Sequence, residues 1–176
     1  MTAPHHGNVS FALLDTAVIR GRGDEPVVDQ MSHARLLEEA AALGGVLRQL
    51  GVRPGTPVVV DLDDDLDAVV AALAAARIGG VVTTTDYPAA PAVLVGSGSA
   101  VGAEGRVRVV RGDDVADPDL EWEAMIRAGR TDPAGAEELP LGAAYSPGRT
   151  AEEQIVLLTA SQPPYAAAEL RRLLHV

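Results

Sequence analysis

Three stretches of the 176-residue chain carry residue types that could do chemistry at close spacing. The first is Gly142 to Thr150, where Tyr145, Ser146, Gly148, Arg149 and Thr150 lie close together. A phosphate-gripping loop needs a nest of backbone N–H groups and a cation beside it. Read as a P-loop, this stretch has one residue too many and Arg149 where a lysine belongs. Glu152 and Glu153 follow directly, so two carboxylates stand where phosphates would approach. The second stretch holds Asp61, Asp63, Asp64, Asp65 and Asp67, crowded behind an apolar run. Such carboxylates could hold Mg²⁺ or supply a general base. A single acidic cluster without a partner motif specifies no site, and the favoured role is capping and charge-complementing the next helix. The third is Gly96 to Gly102, a glycine-rich loop after an apolar run. Its spacing misses G-x-G-x-x-G by one, and Glu104-Gly105 interrupts any following helix, so a flexible loop or hairpin is expected.

Isolated candidates add little. His5 and His6 form an adjacent pair with no further ligand nearby, and the first seven residues read as a solvated tail. Arg-Gly-Asp, at 22–24, reads as turn chemistry. His33 sits beside a helix start and is expected at the surface rather than acting as a base. No Ser-His-Asp pattern stands out.

Composition bounds the rest. All fourteen basic residues are arginine, and the formal charge is −11. Nucleic acid and anionic membranes both need a basic surface, so neither is an expected partner. Cysteine is absent, which removes disulfides, thiolate nucleophiles and sulfur-bound zinc. No run is long enough to span a bilayer. With no basic-then-apolar leader, the expected location is the cytoplasm.

The elements that would position these residues are clearest between Met31 and Asp86. Ser32 is predicted to cap a helix running to about Leu50, with Leu36, Ala40, Leu43, Leu47 and Leu50 along one stripe. Burying its four leucines is worth on the order of 6–12 kcal/mol before conformational entropy is subtracted. Gly51 suits the left-handed position after that helix. Val58–Leu62 reads as a buried strand, Leu66 to Ile78 as a second helix, and Val81–Thr84 as the next strand. Helix and strand thus alternate as in a parallel α/β sheet, and a single domain of this length buries about 70% of its surface. Upstream, Asn8–Ile19 is predicted as a helix with Phe11, Leu14 and Val18 inward and Asn8 or Ser10 as cap. Downstream, Arg106–Val110 is a strand, and Asp117 or Asp119 caps a helix holding Leu120, Trp122, Met125 and Ile126. Residues 131–142 form a linker, Glu153–Thr159 a closing strand, and Ser161–Leu174 a final helix.

Three words of this sequence resemble one family: Leu13 to Val28 (LLDTAVIRGRGDEPVV), Ser32 to Val60 (SHARLLEEAAALGGVLRQLGVRPGTPVVV) and Ala68 to Val82 (AVVAALAAARIGGVV). Together they resemble the N-terminal part of AMP-forming acyl-CoA synthetases, nearest the acetyl- and propionyl-CoA branch of the adenylate-forming superfamily. The resemblance runs from Asn8 to about Asp86, more loosely to residue 130. It implies an α/β domain with a mostly parallel sheet flanked by helices: tail 1–7, domain 8–130, linker with a degenerate phosphate loop 131–152, closing elements 153–176. The family places a helical crossover after the strand near Thr84. Here Tyr87–Pro91 alone separate it from Ala92–Gly96, so that strand is expected to pair elsewhere or run antiparallel.

The resemblance also implies a lysine-bearing phosphate loop near residue 144. Of it, Tyr145, Ser146, Gly148 and Thr150 survive, with Arg149 as the cation. The later nucleotide-binding motifs and the catalytic lysine have no counterpart in these residues. The leading expectation is a truncated, non-catalytic relative that binds a protein partner or its own copy, with no cofactor. Two alternatives stay open: a subunit of a split ligase, which would use ATP and AMP, and a small nucleotide- or ligand-binding domain built on Gly96–Gly102.

Overall fold

The structure is a computed structural model, and it describes residues 7–84, 93–97, 107–112, 115 and 117–176. Its centre is a five-stranded, wholly parallel sheet in the order β4-β3-β5-β6-β7. The strands are β3 (Pro57–Asp61), β4 (Val81–Thr83), β5 (Val93–Ser97), β6 (Val107–Arg111) and β7 (Leu120–Glu121). Two short hairpins stand apart from it. One pairs β1 (Pro26–Val28) with β2 (Met31–Ser32), the other β8 (Ala144–Ser146) with β9 (Arg149–Thr150).

Helix α2 (His33–Gln49) forms as its sequence dictates. Ser32 Oγ accepts from the Arg35 N–H at 3.3 Å. Leu36, Ala40, Leu43 and Leu47 are fully buried, and Gly51 takes φ +97° just past the end. Helix α3 (Asp65–Arg77) is buried from Ala68 to Arg77, because α2, α6 (Ala167–Leu174) and the sheet all pack on it. Small alanines permit that enclosure. Asp64 accepts from the N–H groups of Leu66 and Asp67, both at 2.9 Å, the capping expected of the acidic cluster. Helix α4 (Trp122–Gly129) packs on α2 at Gly129, where a Cβ would sit 2.0 Å from the Ala42 carbonyl oxygen.

Several expectations need correction. Strand β5 pairs elsewhere than with β4, as expected, but it is parallel: Val93–Gly96 lie beside Val58–Asp61 of β3. β4 and β5 flank β3 on opposite sides, so the two strands are not neighbours although both run parallel to β3. Residues 85–92, where the crossover would be, lie outside the described residues, as do the tail pair His5-His6 and most of Gly96–Gly102. Helix α4 is capped by Glu121, which accepts from Glu123 and Ala124. Asp119 is instead engaged by Arg108 of β6, and Leu120–Glu121 add a strand to the sheet edge.

Glu153–Thr159 is not a strand. It lies within helix α5 (Ala151–Ala160), because Thr150 and Glu153 form a reciprocal capping box that starts a helix there. A short apolar run cannot by its periodicity alone be told from a buried strand. The last helix begins at Ala167 rather than Ser161, since Pro163-Pro164 remove N–H donors and bias the preceding residue away from helical backbone. Residues 131–142 are stitched to the core. The Ala134 N–H donates to the Ala41 carbonyl and the Glu137 N–H to the Arg77 carbonyl, each at 2.8 Å.

The N-terminal helical segment differs in one instructive way. Asn8 Oδ1 caps it by accepting from the Phe11 N–H, but Phe11–Asp15 form a π-helical turn before α1 (Thr16–Ile19). Leu14 and Ala17, three residues apart, are the buried positions from Phe11 to Ile19, and Val18 is exposed. Asp15 then meets Arg77 of α3 in a two-pronged ion pair at 2.7 and 3.0 Å.

Candidate functional site

The residues expected to form a phosphate loop do come together, in the hairpin β8–β9. Gly148 supplies its turn at φ +73°. The groups that would greet a phosphate are occupied internally. Thr150 Oγ1 accepts from the Glu153 N–H at 3.3 Å, while the Glu153 carboxylate accepts from the Thr150 N–H at 2.8 Å. Donation by the Thr150 N–H first and the Thr150 hydroxyl second holds the Glu153 carboxyl below the usual carboxylate range.

Tyr145 and Gln154 serve a different end of the molecule. The last carbonyls of a helix have no partner within it. In α6 two of them are met from outside: the Tyr145 hydroxyl donates to the Leu174 carbonyl at 2.9 Å, and the Gln154 amide to that of Leu173 at 2.9 Å. Burial pushes the Tyr145 phenol far above its ordinary range, so it stays a neutral donor. Arg149 Nη1 donates to Gln154 Oε1 at 3.2 Å. Ser146 is buried beside Arg149 in the ladder. His175, just past α6, is held below its usual value by burial first and by Arg149 second. The hairpin therefore faces the negative end of a helix dipole.

Two members of the acidic cluster are paired as well. Asp65 binds Arg171 at 2.8 Å and Asp67 binds Arg111 at 2.8 Å. Burial raises the Asp67 carboxyl more than Arg111 lowers it. Among the described residues no three His, Asp or Glu side chains gather as a metal site would require.

A second feature was not legible in the sequence. Between the π-turn with α1 and the helix α5 runs a groove of about 700 Å³. Thr16 and Arg20 line it from the N-terminal segment, Ile155 and Thr159 from α5, and Tyr165 from the loop after it. His33 lines it too and is only 2% exposed, contrary to the surface position expected. The β1–β2 hairpin folds back over the start of α2, and both the His33 N–H and Nδ1 are engaged by the Glu25 carbonyl, at 3.1 and 2.9 Å. Helix-start signals fix where α2 begins but not what covers it.

With the fold in view, kinship is clear. The profile of the family described as AMP-binding enzyme matches residues 15–110, more than half of the chain, and the chain belongs to that family. Over 73 residues it is 40% identical to acetyl-coenzyme A synthetase of Phycomyces blakesleeanus, a match covering 41% of this chain and 11% of that protein. Over 84 residues it is 33% identical to the mitochondrial acyl-CoA synthetase short-chain family member 3 of Rattus norvegicus, covering 42% and 12%. Acetoacetyl-CoA synthetase from Streptomyces lividans superposes with a TM-score of 0.62 at 26% identity, over 79% of this chain and 27% of that one. The anthranilate CoA ligase AuaEII, solved with anthranoyl-AMP, gives 0.67 at 19% identity over 82% and 32%, a likeness of fold alone. The relationship is thus to AMP-forming acyl-CoA synthetases, and the parallel sheet is that of their N-terminal domain. The chain spans 8% to 13% of the length of the curated relatives it matches. No helix among the described residues is long and apolar enough to cross a membrane.

Proposed function

We propose that this chain is a non-catalytic relative of the AMP-forming acyl-CoA synthetases, acting as a protein-binding or scaffold module. One observation carries the reading: Tyr145, Arg149 and Thr150, which a phosphate loop would free for its ligand, instead cap helices α5 and α6 and bind Gln154. Adenylation develops negative charge on a transferring phosphate, and electrostatic stabilisation of such charge is typically the largest catalytic contribution. The sequence contains no lysine to supply it, and Arg149 is already engaged. Two carboxylates and a helix C-terminus beside the hairpin would repel a triphosphate by the same electrostatics. No ATP, AMP or metal is part of this reading.

ATP–pyrophosphate exchange with the purified chain and short-chain acids tests it. Exchange indistinguishable from a no-protein control is expected; acid-dependent exchange by the chain alone would refute the reading. Exposed Ile19 and Val156 favour one other reading, in which the chain packs on a separately encoded catalytic half. Exchange that appears only when such a protein is added would establish it.

A further inference from the structure

The groove between the N-terminal segment and α5 has the make-up of a small-molecule site. Its volume of about 700 Å³ lies inside the range of pockets that enclose small ligands, about 300–1,000 Å³. Its walls combine apolar surface (Leu13, Ile155, Leu158) with a few placed polar groups. Two observations go beyond shape.

The first is His33. A carbonyl oxygen can only accept, so the Nδ1 contact with the Glu25 carbonyl fixes the proton on Nδ1. The neutral ring then presents Nε2 as a hydrogen-bond acceptor. Nε2 has no partner among the described residues, although His33 is 2% exposed and lines the groove. Ser10 Oγ is the buried side-chain polar atom left without a partner among the described residues, so Nε2 is not sealed off: it is open to the groove, where a ligand hydroxyl can donate to it in place of water.

The second is charge. In a chain carrying −11, the groove is lined by Arg20 and Arg22 against the single carboxylate of Glu25. Glu25 faces Arg22 at 3.8 Å, while Arg20 pairs with no carboxylate among the described residues. Of the other polar groups, the hydroxyls of Thr16, Thr159 and Tyr165 donate to the carbonyls of Phe11, Ile155 and Leu158, while the exposed Gln162 amide makes no hydrogen bond among the described residues. What remains open is the His33 acceptor, the Arg20 cation, the Gln162 amide and an apolar wall. The π-helical turn that forms part of this wall is a departure found frequently at functional sites.

We propose that this groove binds a small amphiphilic organic anion that carries a hydroxyl, with its anion at Arg20 and Arg22, its apolar body along Leu13, Ile155 and Leu158, and its hydroxyl donating to His33 Nε2. The proposal goes beyond the loss of catalysis and does not depend on it, because the hairpin β8–β9 takes no part.

Calorimetric titration of the full chain with three probes tests it: 3-hydroxyoctanoate, octanoate and octane-1,3-diol. 3-Hydroxyoctanoate should bind with Kd on the order of 1 mM or tighter. Octanoate, lacking the hydroxyl, should bind about tenfold more weakly, as should the uncharged diol. His33→Phe should make the two acids equivalent. Arg20→Gln, at an exposed position, should weaken both acids roughly fivefold and leave the diol unchanged. Should His33→Phe fail to fold, the Arg20→Gln comparison still decides. No binding by any probe, equal affinity for 3-hydroxyoctanoate and the diol, or an Arg20→Gln variant that binds like the parent would each overturn the proposal.

Discussion

Asp15→Asn should be among the most damaging single-atom exchanges this protein can suffer. Arg77 lies on the enclosed helix α3, its side chain 7% exposed, and Asp15 meets it at 2.7 and 3.0 Å with 16% of its own side chain exposed. The guanidinium Nε also donates to the Ala134 carbonyl at 2.7 Å. On the same residue, the Arg77 carbonyl accepts from the Asn8 amide at 2.8 Å. Arg77 thus ties the N-terminal segment and the strap 131–142 to the core. Removing one partner of a buried pair costs about 3–5 kcal/mol, because the other charge remains buried. Asparagine keeps one acceptor oxygen, which places the cost near about 3 kcal/mol. For a chain of this size, each kcal/mol moves Tm by roughly 2–4 °C, so Tm should fall by about 6–12 °C. Calorimetry and urea melts at pH 7 measure it, with an unchanged urea slope. The double variant Asp15→Leu/Arg77→Met should recover most of the loss, since no charge is left stranded. A fall below about 2 °C, or a double variant no better than the single one, would refute the reasoning.

Three further outcomes follow from the same structure. Thr150→Ala removes half of the capping box that starts α5 and should cost about 1 kcal/mol in urea unfolding. Gly129→Ala sets a Cβ 2.0 Å from the Ala42 carbonyl oxygen and should cost about 3 kcal/mol or more by forcing α4 off α2. Arg108, hydrogen-bonded to Asp119 with Nε 2.7 Å from Oδ1, holds that carboxyl below its usual value. A depressed carboxyl stabilises the fold above its unfolded pKa and loses that contribution as pH falls through the folded value. Melting temperature should therefore fall below about pH 4, and Asp119→Asn should flatten that acid limb.

The sequence was readable where local rules decide. Ser32, the leucine stripe and Gly51 specify α2 without reference to anything distant. The alternation through Thr84 then yields β3-α3-β4, and Asp64 declares itself a cap. Three features depended on distant partners. Strand order hinges on β5 choosing β3 over β4, which no window of sequence contains. The face the first helix buries, Leu14 with Ala17 rather than Val18, lies where Asp15 meets Arg77, 62 residues away. His33 is buried by a hairpin that folds back over it, and its ring partner is a backbone carbonyl, which no side-chain motif announces. One miss was avoidable: Thr150 and Glu153 have capping-box spacing, a local signal for α5 that the apolar run IVLLT obscured.

The central claim is that Tyr145–Thr150 is helix-capping framework rather than a phosphate grip. A titration of isotope-labelled protein with magnesium ATP, followed at the backbone amides of Gly148, Arg149 and Thr150, addresses it most directly. Those three resonances should stay in place up to about 10 mM nucleotide, beyond the Kd of a functional site. Saturable movement of all three at micromolar ATP would contradict the account.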